Sequence, residues 1–590
     1  MCDNDLNGRN TLKRKDIIGW RKIAFMTVFI AAVAACEKTV PTKPLEPAVK
    51  PDLAAHSAEF NQEVVEVTDG VYVAIGFGLA NAILLEGSDG VIIVDTMESN
   101  EAAIPVKAAF DRISSKPVKA IIYTHYHPDH TFGAEIFAEN NRPEIYAHKL
   151  TNYFLNRIVN VTRETTYRRA MRQFGTYLPP GELVNAGIGL RLAFDETNTI
   201  GILRPVKTFA DESLKLEIAG LKLELLHAPG ETDDQIFIWL PEKKVLLPAD
   251  NYYKSFPNLY AIRGTAYRDV TNWINSIDKM RVLKPEYLIP GHTRPVVGAE
   301  KIYETLTNYR DAIQFVHDQT IRYMNAGFTP DEIVGRVKLP DHLARLPYLQ
   351  EYYGTVEWSV RAIFNGYLGW FSGNATDLYP LSPQERAKRM VGLAGGEEFL
   401  LERTRQAVKS KDYQWALELA DHLIRNSPNL SQASNLKAQA LMALGEQQTA
   451  STARNYYLTQ ALEVLDKIEI EPRSVKSKRE AHRIPLYGIF QSMAVGLNPL
   501  KSADVDMVAG FRFPDTGEAY TVHVRRSVAE IQPRLPQNPD ISVTVNSLVW
   551  KEVATGLRNP TVALFKDMKK EGGFLKLVKF LALFKPDTFE

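Results

Sequence analysis

Cysteine is almost absent from this sequence of 590 residues, whose two cysteines, Cys2 and Cys36, both lie near the N-terminus. The folded body therefore has no disulfide bond, and any metal site in it must be built from histidine and carboxylate side chains. An excess of charge of one sign is also absent, because 70 Lys and Arg residues balance 70 Asp and Glu residues. With no run of basic residues either, nothing in the composition indicates nucleic acid as a partner.

The N-terminal segment carries a basic region, from Lys13 to Lys22, followed by the apolar run IAFMTVFIAAVAAC (residues 23–36). The run is too short to span a membrane as a helix and ends in small residues, which is typical of an export signal. Its end resembles a bacterial lipobox, which implies lipidation of Cys36; an ordinary signal peptide and a retained anchor are the alternatives. We therefore predict an exported lipoprotein, periplasmic or associated with the outer membrane of a Gram-negative bacterium, that meets the membrane only through its lipid anchor.

The chain is too long for one compact core, and its length predicts roughly two to four domains. Its pattern changes from short strands to helices and back to strands, which predicts an α+β multidomain fold. We divide it into a signal peptide (1–36), a Pro-rich extended tether (37–58), a strand-rich catalytic domain (59–305), a helical domain (306–475) and a C-terminal α/β domain (476–590).

The most informative motif follows the apolar run VKAIIYT (residues 118–124), which predicts a buried strand. Directly after it come His125, His127, Asp129 and His130. The two parts of this H-x-H-x-D-H motif can reach two neighbouring cations, an arrangement common in hydrolases. A solvated histidine-rich turn is the alternative reading.

Three later segments repeat one pattern, in which an apolar run is followed by a small residue, Gly or Pro and then by a possible ligand. The run LKLELLHAPG leads to Glu231, KVLLPA to Asp250 and EYLIPG to His292. Because each of these runs predicts a strand, the four segments together predict a metal site at the ends of strands. A simple turn carboxylate is the alternative for Glu231, with Asp233 as a competing ligand.

In this order and at these spacings, the segments resemble the metallo-β-lactamase superfamily, and a carboxylate at Glu231 resembles its alkylsulfatase branch. The resemblance implies an αβ/βα sandwich with a site for two Zn²⁺ ions between two sheets. In that family, one ion would be held by His125, His127 and Glu231 and the other by Asp129, His130 and His292, with Asp250 bridging. Zinc rests on this resemblance, since histidine and carboxylate ligands accept several metals.

The same resemblance assigns Asp129, Asp250 and Arg263 to catalysis and Arg263 to the binding of the sulfate group, for which a guanidinium is suited. Arg268 is a second candidate for substrate binding, although a structural ion pair with a nearby acid is an equal alternative. Tyr177 lies close to the position of a family tyrosine that contacts sulfate. The sequence departs from the family in having Asp at position 250 and no histidine in the loop after it.

The C-terminal half resembles the helical dimerisation domain and the sterol-carrier-like domain of bacterial alkylsulfatases. This implies a homodimer that hydrolyses alkyl sulfate esters, releasing sulfate and an alcohol through water activated by two metal ions. Another ester on the same fold, such as a lactone, β-lactam or phosphoester, is the first alternative. A non-catalytic lipid-binding surface lipoprotein is the second.

Overall fold

The computed structural model describes residues 47–138 and 141–584. The predicted signal peptide, with Cys36, lies outside the described residues. The end of the predicted tether is helical rather than extended, because it forms α1 (Pro51–His56). The ring of His56 stacks on that of Tyr352 with their centroids 3.9 Å apart, so this helix is packed onto the protein.

Within the described residues, two β-sheets form the centre of the catalytic domain. The seven strands of the first sheet follow chain order: β1 (Glu63–Thr68), β2 (Val71–Ile75), β3 (Ala82–Glu86), β4 (Val91–Val94), β5 (Val118–Ile122), β6 (Glu144–His148) and β7 (Lys207–Phe209). The six strands of the second sheet are β8 (Ser213–Ile218), β9 (Leu221–His227), β10 (Ile236–Leu240), β11 (Val245–Leu247), β12 (Tyr287–Leu288) and β13 (Val296–Val297), in the spatial order β13-β12-β11-β10-β9-β8.

The two sheets pack face to face through one buried apolar cluster. Val73 and Ile92 of the first sheet and Leu225 and Ile238 of the second belong to it. The alternation of β9 places Leu223 and Leu225 inward, whereas β10 is buried along its whole length because helices cover its other face. The predicted sandwich is thus confirmed.

Helices cover the outer face of each sheet and complete the four layers. The α-helices between residues 100 and 325 are α2 (Asn100–Asp111), α3 (Pro128–Thr131), α4 (Ala134–Ala138), α5 (Thr151–Asn156), α6 (Arg163–Phe174), α7 (Val270–Leu283) and α8 (Ala299–Asn325). Helices α2 and α4 pack on the first sheet, and α7 and α8 on the second. The predicted domain boundary at residues 305–306 lies inside α8, whose apolar face continues the catalytic core.

In the helical region that follows, consecutive helices pack against one another. Its helices are α9 (Pro330–Val334), α10 (Asp341–Ala344), α11 (Val356–Leu368), α12 (Pro383–Leu393), α13 (Glu397–Lys409), α14 (Tyr413–Asn426), α15 (Ser431–Glu446) and α16 (Ser451–Val464). Between α11 and α12 lies an extended segment with exposed aromatic side chains, among them Trp370 and Tyr379.

The C-terminal domain is a five-stranded sheet with helices packed on it. Its elements are α17 (Lys478–Arg483), α18 (Leu486–Val495), β14 (Asp506–Phe513), β15 (Glu518–Arg525), β16 (Val528–Gln532), β17 (Ile541–Thr544), α19 (Ser547–Ala554), α20 (Pro560–Lys566), β18 (Lys569–Glu571) and α21 (Phe574–Ala582). The last helix buries Leu577 and Phe580 in the domain core. None of the helices described is both long and apolar enough to cross a membrane.

Candidate active site

The first half of the site lies where β5 ends. His125 and His127 occupy the turn after this strand, and Asp129 and His130 lie in α3. Pro128 occupies the first turn of α3, where its fixed φ favours a helix start and its missing N–H leaves no bond unmade. All four side chains are buried, so the motif is not a solvated turn.

The second half comes from the second sheet, where Glu231 follows β9, Asp250 follows β11 and His292 follows β12. Gly291 allows these loops to approach closely, since a Cβ atom at this position would lie 2.5 Å from Oδ1 of Asp250. Ala249, beside Asp250, has a φ of +53°, an uncommon conformation for a residue with a side chain. Such local strain is frequent at functional sites.

The side chains form two adjacent groups. Within each group, the possible ligand atoms lie within 4.8 Å of one another. The first group is His125, His127 and Asp250, and the second is Asp129, His130 and His292. Oδ2 of Asp250 also lies 3.4 Å from Nε2 of His130 and 3.1 Å from Nε2 of His292. Asp250 thus contacts both groups, which is the position that a bridging ligand requires.

A layer of hydrogen bonds orients the second group. Nδ1 of His130 lies 2.7 Å from Oδ2 of Asp95, and Nδ1 of His292 lies 2.9 Å from the carbonyl oxygen of Leu79. Thr124 donates to Asp95 through both its backbone N–H and its hydroxyl group. These contacts engage the Nδ1 atoms, so the Nε2 atoms of both histidines can bind a metal. Metal-binding histidines are commonly oriented in this way by a carboxylate or a backbone carbonyl.

The donor atoms fit a divalent metal. Among the described residues, Nε2 of His130, Oδ1 of Asp250 and Oε2 of Glu231 are buried without a hydrogen-bond partner. Buried polar atoms are rarely left unpaired, so these three indicate a bound group. Burial lowers the pKa of both His125 and His127, which favours the neutral imidazole that binds metals. Burial raises the pKa of Asp250, but the charges of His292 and His130 outweigh it and hold the pKa well below its usual value.

One oxygen of Glu231 is held by an ion pair, and its role as a ligand of the metal bound by His125 and His127 stays a prediction. Oε1 of Glu231 lies 2.7 Å from Nη1 of Arg268, and both side chains are almost fully buried. Arg268 also donates to the carbonyl oxygen of Asn258 and does not line the cavity beside the metal groups. Of the two readings of Arg268, the structure therefore supports the structural ion pair rather than substrate binding.

Arg263 lies beside the first metal group. Its Nη2 is 3.1 Å from Nε2 of His127, and its Nη1 is buried without a partner among the described residues. Two contacts hold its backbone: its N–H donates to Oε1 of Gln173, and its carbonyl oxygen accepts from Nε of Arg169. A buried cation with free N–H groups at this position is suited to bind an anion.

A cavity of about 430 Å³ opens from the metal groups. Asp129, His127, Asp250 and Arg263 line one part of it, and Tyr353 from the helical region lies beside them. Much of the remaining wall is apolar: it includes Phe132, Ile158, Met171, Phe174, Leu192, Phe194, Ile200, Ile202, Val475 and Ile484. The last two come from the junction with the C-terminal domain, so residues of all three domains enclose the cavity.

The predicted Tyr177 and the side chains that directly follow Asp250 lie outside this cavity. The hydroxyl of Tyr177 donates to Glu196 and lies 3.0 Å from that of Tyr167, so the structure does not bring Tyr177 to the site. In the loop after Asp250, Lys254 pairs with Glu59 and the hydroxyl of Tyr253 accepts from the N–H of Asn258.

Sequence reasoning also missed two residues, Asp95 and Tyr353. Asp95 carried a usable signal, because it follows the apolar run GVIIV just as each predicted ligand follows its own strand. Tyr353 carried none, since it lies far along the chain and only the packing of the helical region brings it to the site.

Three family models match the chain. A model described as metallo-beta-lactamase superfamily matches residues 75–292, one described as alkyl sulfatase dimerisation matches residues 329–467, and one described as alkyl sulfatase C-terminal matches residues 475–589. The matched ranges follow the order of the three domains in the structure.

Relatives of known activity match over most of their length. A linear primary-alkylsulfatase from Pseudomonas sp. is 38% identical over 523 residues, which cover 85% of this chain and 98% of the relative. An (R)-specific secondary-alkylsulfatase from Pseudomonas sp. is 30% identical over 549 residues, covering 89% and 82%. The solved structure of the stereoselective inverting sec-alkylsulfatase Pisa1 from Pseudomonas sp. superimposes with a TM-score of 0.86 at 28% identity, covering 92% of this chain and 87% of that one.

Proposed function

Because this chain belongs to the alkylsulfatase family, whose catalytic domain has the metallo-β-lactamase fold, we propose that it hydrolyses alkyl sulfate esters to inorganic sulfate and an alcohol. One observation carries the proposal: Arg263, with a free Nη1, lies beside the metal groups at a cavity whose wall is largely apolar. An anionic head bound to a long alkyl chain matches this combination of charge and apolar surface.

The chain's own residues divide the work of hydrolysis. Arg263 binds the sulfate oxygens and stabilises the negative charge that increases on them as the ester bond breaks. The apolar wall holds the alkyl chain and excludes water from it. Asp250 and the histidines of the two groups position the metal, with Asp95 orienting His130 behind it. A divalent metal, when bound, makes hydroxide available near neutral pH.

We propose two ions for each subunit, one in each group of three ligands, and zinc as the metal. The two separate groups support the number. The family resemblance supports zinc, since nitrogen and oxygen donors accept several divalent metals. Metal analysis of the purified protein tests both points: we expect about two equivalents of zinc. One equivalent would contradict the dinuclear site.

Sulfate release from dodecyl sulfate and from short secondary alkyl sulfates tests the activity. We expect release by the zinc-loaded protein and none after chelation. A zinc-loaded protein that releases no sulfate from any ester would contradict the proposal. Turnover of nitrocefin or of a lactone in its place would favour another ester on the same fold.

We also propose a homodimer that forms through the segment between α11 and α12. Trp370 and Tyr379 of this segment are 72% and 95% exposed, Tyr367 at the end of α11 is 50% exposed, and the segment lies within the match to the dimerisation model. Large apolar side chains at such exposure are typical of a surface that a partner covers.

Export and lipidation of Cys36 are proposed from the sequence alone. The basic region, the short apolar run and the residues before Cys36 support them. Metabolic labelling with a fatty acid, compared between the natural chain and Cys36→Ser, tests this proposal. Equal labelling of both would overturn it.

A further inference from the structure

A second group of cations lines the substrate cavity, apart from Arg263. Arg204 lines the cavity and donates to the carbonyl oxygen of Asn152 over 3.3 Å. Its Nε is enclosed without a hydrogen-bond partner, and no carboxylate of the described residues lies within ion-pair distance of its guanidinium. Arg157 also lines the cavity, is exposed and has no acidic partner in the described parts of the chain.

The other arginines of this wall differ, because they already have partners. Arg473 pairs with Glu480, and Arg483 pairs with Glu135. Arg163 donates to the carbonyl oxygen of Arg473. Among the described residues, Arg204 and Arg157 are thus two cations of this wall without a carboxylate partner, and for the enclosed guanidinium of Arg204 this is unfavourable unless an anion binds to it.

Aromatic side chains separate these two arginines from the metal groups. The ring of Tyr126 lies 4.7 Å from that of His127 and stacks on that of Phe154 at 5.0 Å. Phe154 belongs to α5, which also carries Asn152, the partner of Arg204. Arg157 begins the wider helical turn that continues α5. An anion at Arg204 would therefore be a different charged group from the sulfate at Arg263.

The wall near the two arginines includes four aliphatic side chains. Ile158, Val159 and Ile202 line it together with Ile484. Arg204 and Arg157 also line a second cavity of about 640 Å³ between α5 and α18. A ligand with an apolar middle and a negative charge at each end therefore suits the path from Arg263 to Arg204.

We propose that Arg204 and Arg157 form a second anion site, which binds a carboxylate at the far end of the substrate chain. The preferred substrates are then alkyl sulfates that carry a distal carboxylate, and this inference rests on the proposed sulfatase activity. The guanidinium of Arg204 presents N–H donors that pair with a carboxylate more strongly than with a neutral group. A substrate that ends in a methyl group leaves these donors unpaired.

Two substrates of equal chain length test the proposal: dodecyl sulfate and the sulfate monoester of ω-hydroxydodecanoate. In Arg204→Gln we expect kcat/KM for the carboxylated ester to fall about tenfold, mainly through KM, because a charge-assisted hydrogen bond is lost. For dodecyl sulfate we expect a change of less than about twofold, because it does not use the site. Arg157→Gln, at an exposed position that does not endanger folding, lowers kcat/KM for the carboxylated ester by a smaller factor, and Arg204→Lys restores part of it.

The matched control is Arg345→Gln, since Arg345 is an exposed arginine whose pairing is to Asp341 within α10 and its following turn. The Arg345→Gln variant should leave kcat/KM for both substrates unchanged. Equal loss for both substrates in Arg204→Gln, or no loss for either in both arginine variants, would overturn the second site. Failure of the metal-loaded natural protein to release sulfate from either ester would instead contradict the sulfatase activity itself.

Discussion

Glu231 and Arg268 form an ion pair in which Oε1 and Nη1 lie 2.7 Å apart and both side chains are almost fully buried. Oε2 of the same carboxylate has no hydrogen-bond partner among the described residues. One oxygen of Glu231 is thus held by the protein, and the other is available beside Asp250. Burial raises the pKa of Glu231, and the charge of Asp250 raises it further. A role as metal ligand stays a prediction for that second oxygen.

The ion pair predicts a strong dependence of stability on both partners. In Arg268→Met, the carboxylate of Glu231 loses its cation in a buried position, which costs about 3–5 kcal/mol in the free energy of unfolding. The double variant Glu231→Gln, Arg268→Met removes both charges and should recover much of the loss. Denaturant unfolding of the natural protein, of the single variants Arg268→Met and Glu231→Gln and of the double variant checks this. Additive losses in the double variant would contradict a direct pair.

Asp250 contacts both metal groups, which predicts that its removal affects both. We expect Asp250→Ala to lose most of the bound metal and to lower sulfate release at least about a hundredfold, because metal ligands and their partners contribute effects of this size. Metal analysis and sulfate assays on one preparation measure both effects. Asp233→Asn is the control, because Asp233 lies near Glu231 but outside both groups. Full metal content and activity in Asp250→Ala would disprove the bridging position.

Arg263 should act on the reaction rather than on the metal. In Arg263→Met we expect kcat to fall about a hundredfold or more while the metal content stays unchanged, since the lost interaction stabilises the charge that develops on the sulfate. Arg263→Lys should recover only part, because an ammonium cannot bind two oxygens in the fork geometry of a guanidinium. Loss of metal in Arg263→Met would show that Arg263 supports the metal groups instead.

Asp234 predicts a pH dependence of stability that is separate from the metal groups. Burial raises its pKa from 3.8 to about 7, although its Oδ2 accepts a hydrogen bond from Thr151 over 2.7 Å. Between pH 3.8 and about 7, the folded protein therefore keeps a proton on Asp234 that the unfolded chain has already released. The stabilisation is complete below this range and is lost as the pH rises through it.

The replacement Asp234→Asn removes this titration while keeping an oxygen that can accept from Thr151. Relative to the natural protein, the variant should gain stability as the pH rises from about 4 to about 7, with a total change of a few kcal/mol at most. Chemical unfolding at several pH values measures the difference. The exposed Asp466→Asn serves as control, and a difference that does not vary with pH would contradict the buried proton.

The exposed segment between α11 and α12 predicts the oligomeric state. Trp370→Glu places a charge on a side chain that is 72% exposed in one subunit and that we expect a second subunit to cover. The variant should be a monomer at concentrations where the natural protein is a dimer, as measured by analytical ultracentrifugation. Val206→Glu, a change at a 76% exposed position of the catalytic domain, is the control. A monomeric natural protein would exclude the dimer.

Local patterns predicted the strands and the two halves of the metal site, whereas the sandwich was an implication of the family resemblance. Continuous apolar runs predict buried strands, and a ligand that directly follows such a run can be located from the sequence alone. His125, His127, Asp129, His130, Asp250 and His292 were found in this way, and the structure gathers them into two groups. Asp95 follows the same pattern and was overlooked, because it forms a hydrogen bond with the predicted ligand His130 and is not itself a predicted ligand.

The sequence by itself thus determined which strands carry the ligands, because that information is contained in neighbouring residues. Only the tertiary structure decided the partners of each charged side chain. It paired Arg268 with Glu231 and joined Tyr177 to Glu196. It also brought Tyr353 and Arg204 to the cavity wall. These pairings join residues that are distant in the chain, and the free energy of a buried charge depends on its surroundings in space. No pattern of neighbouring residues records those surroundings.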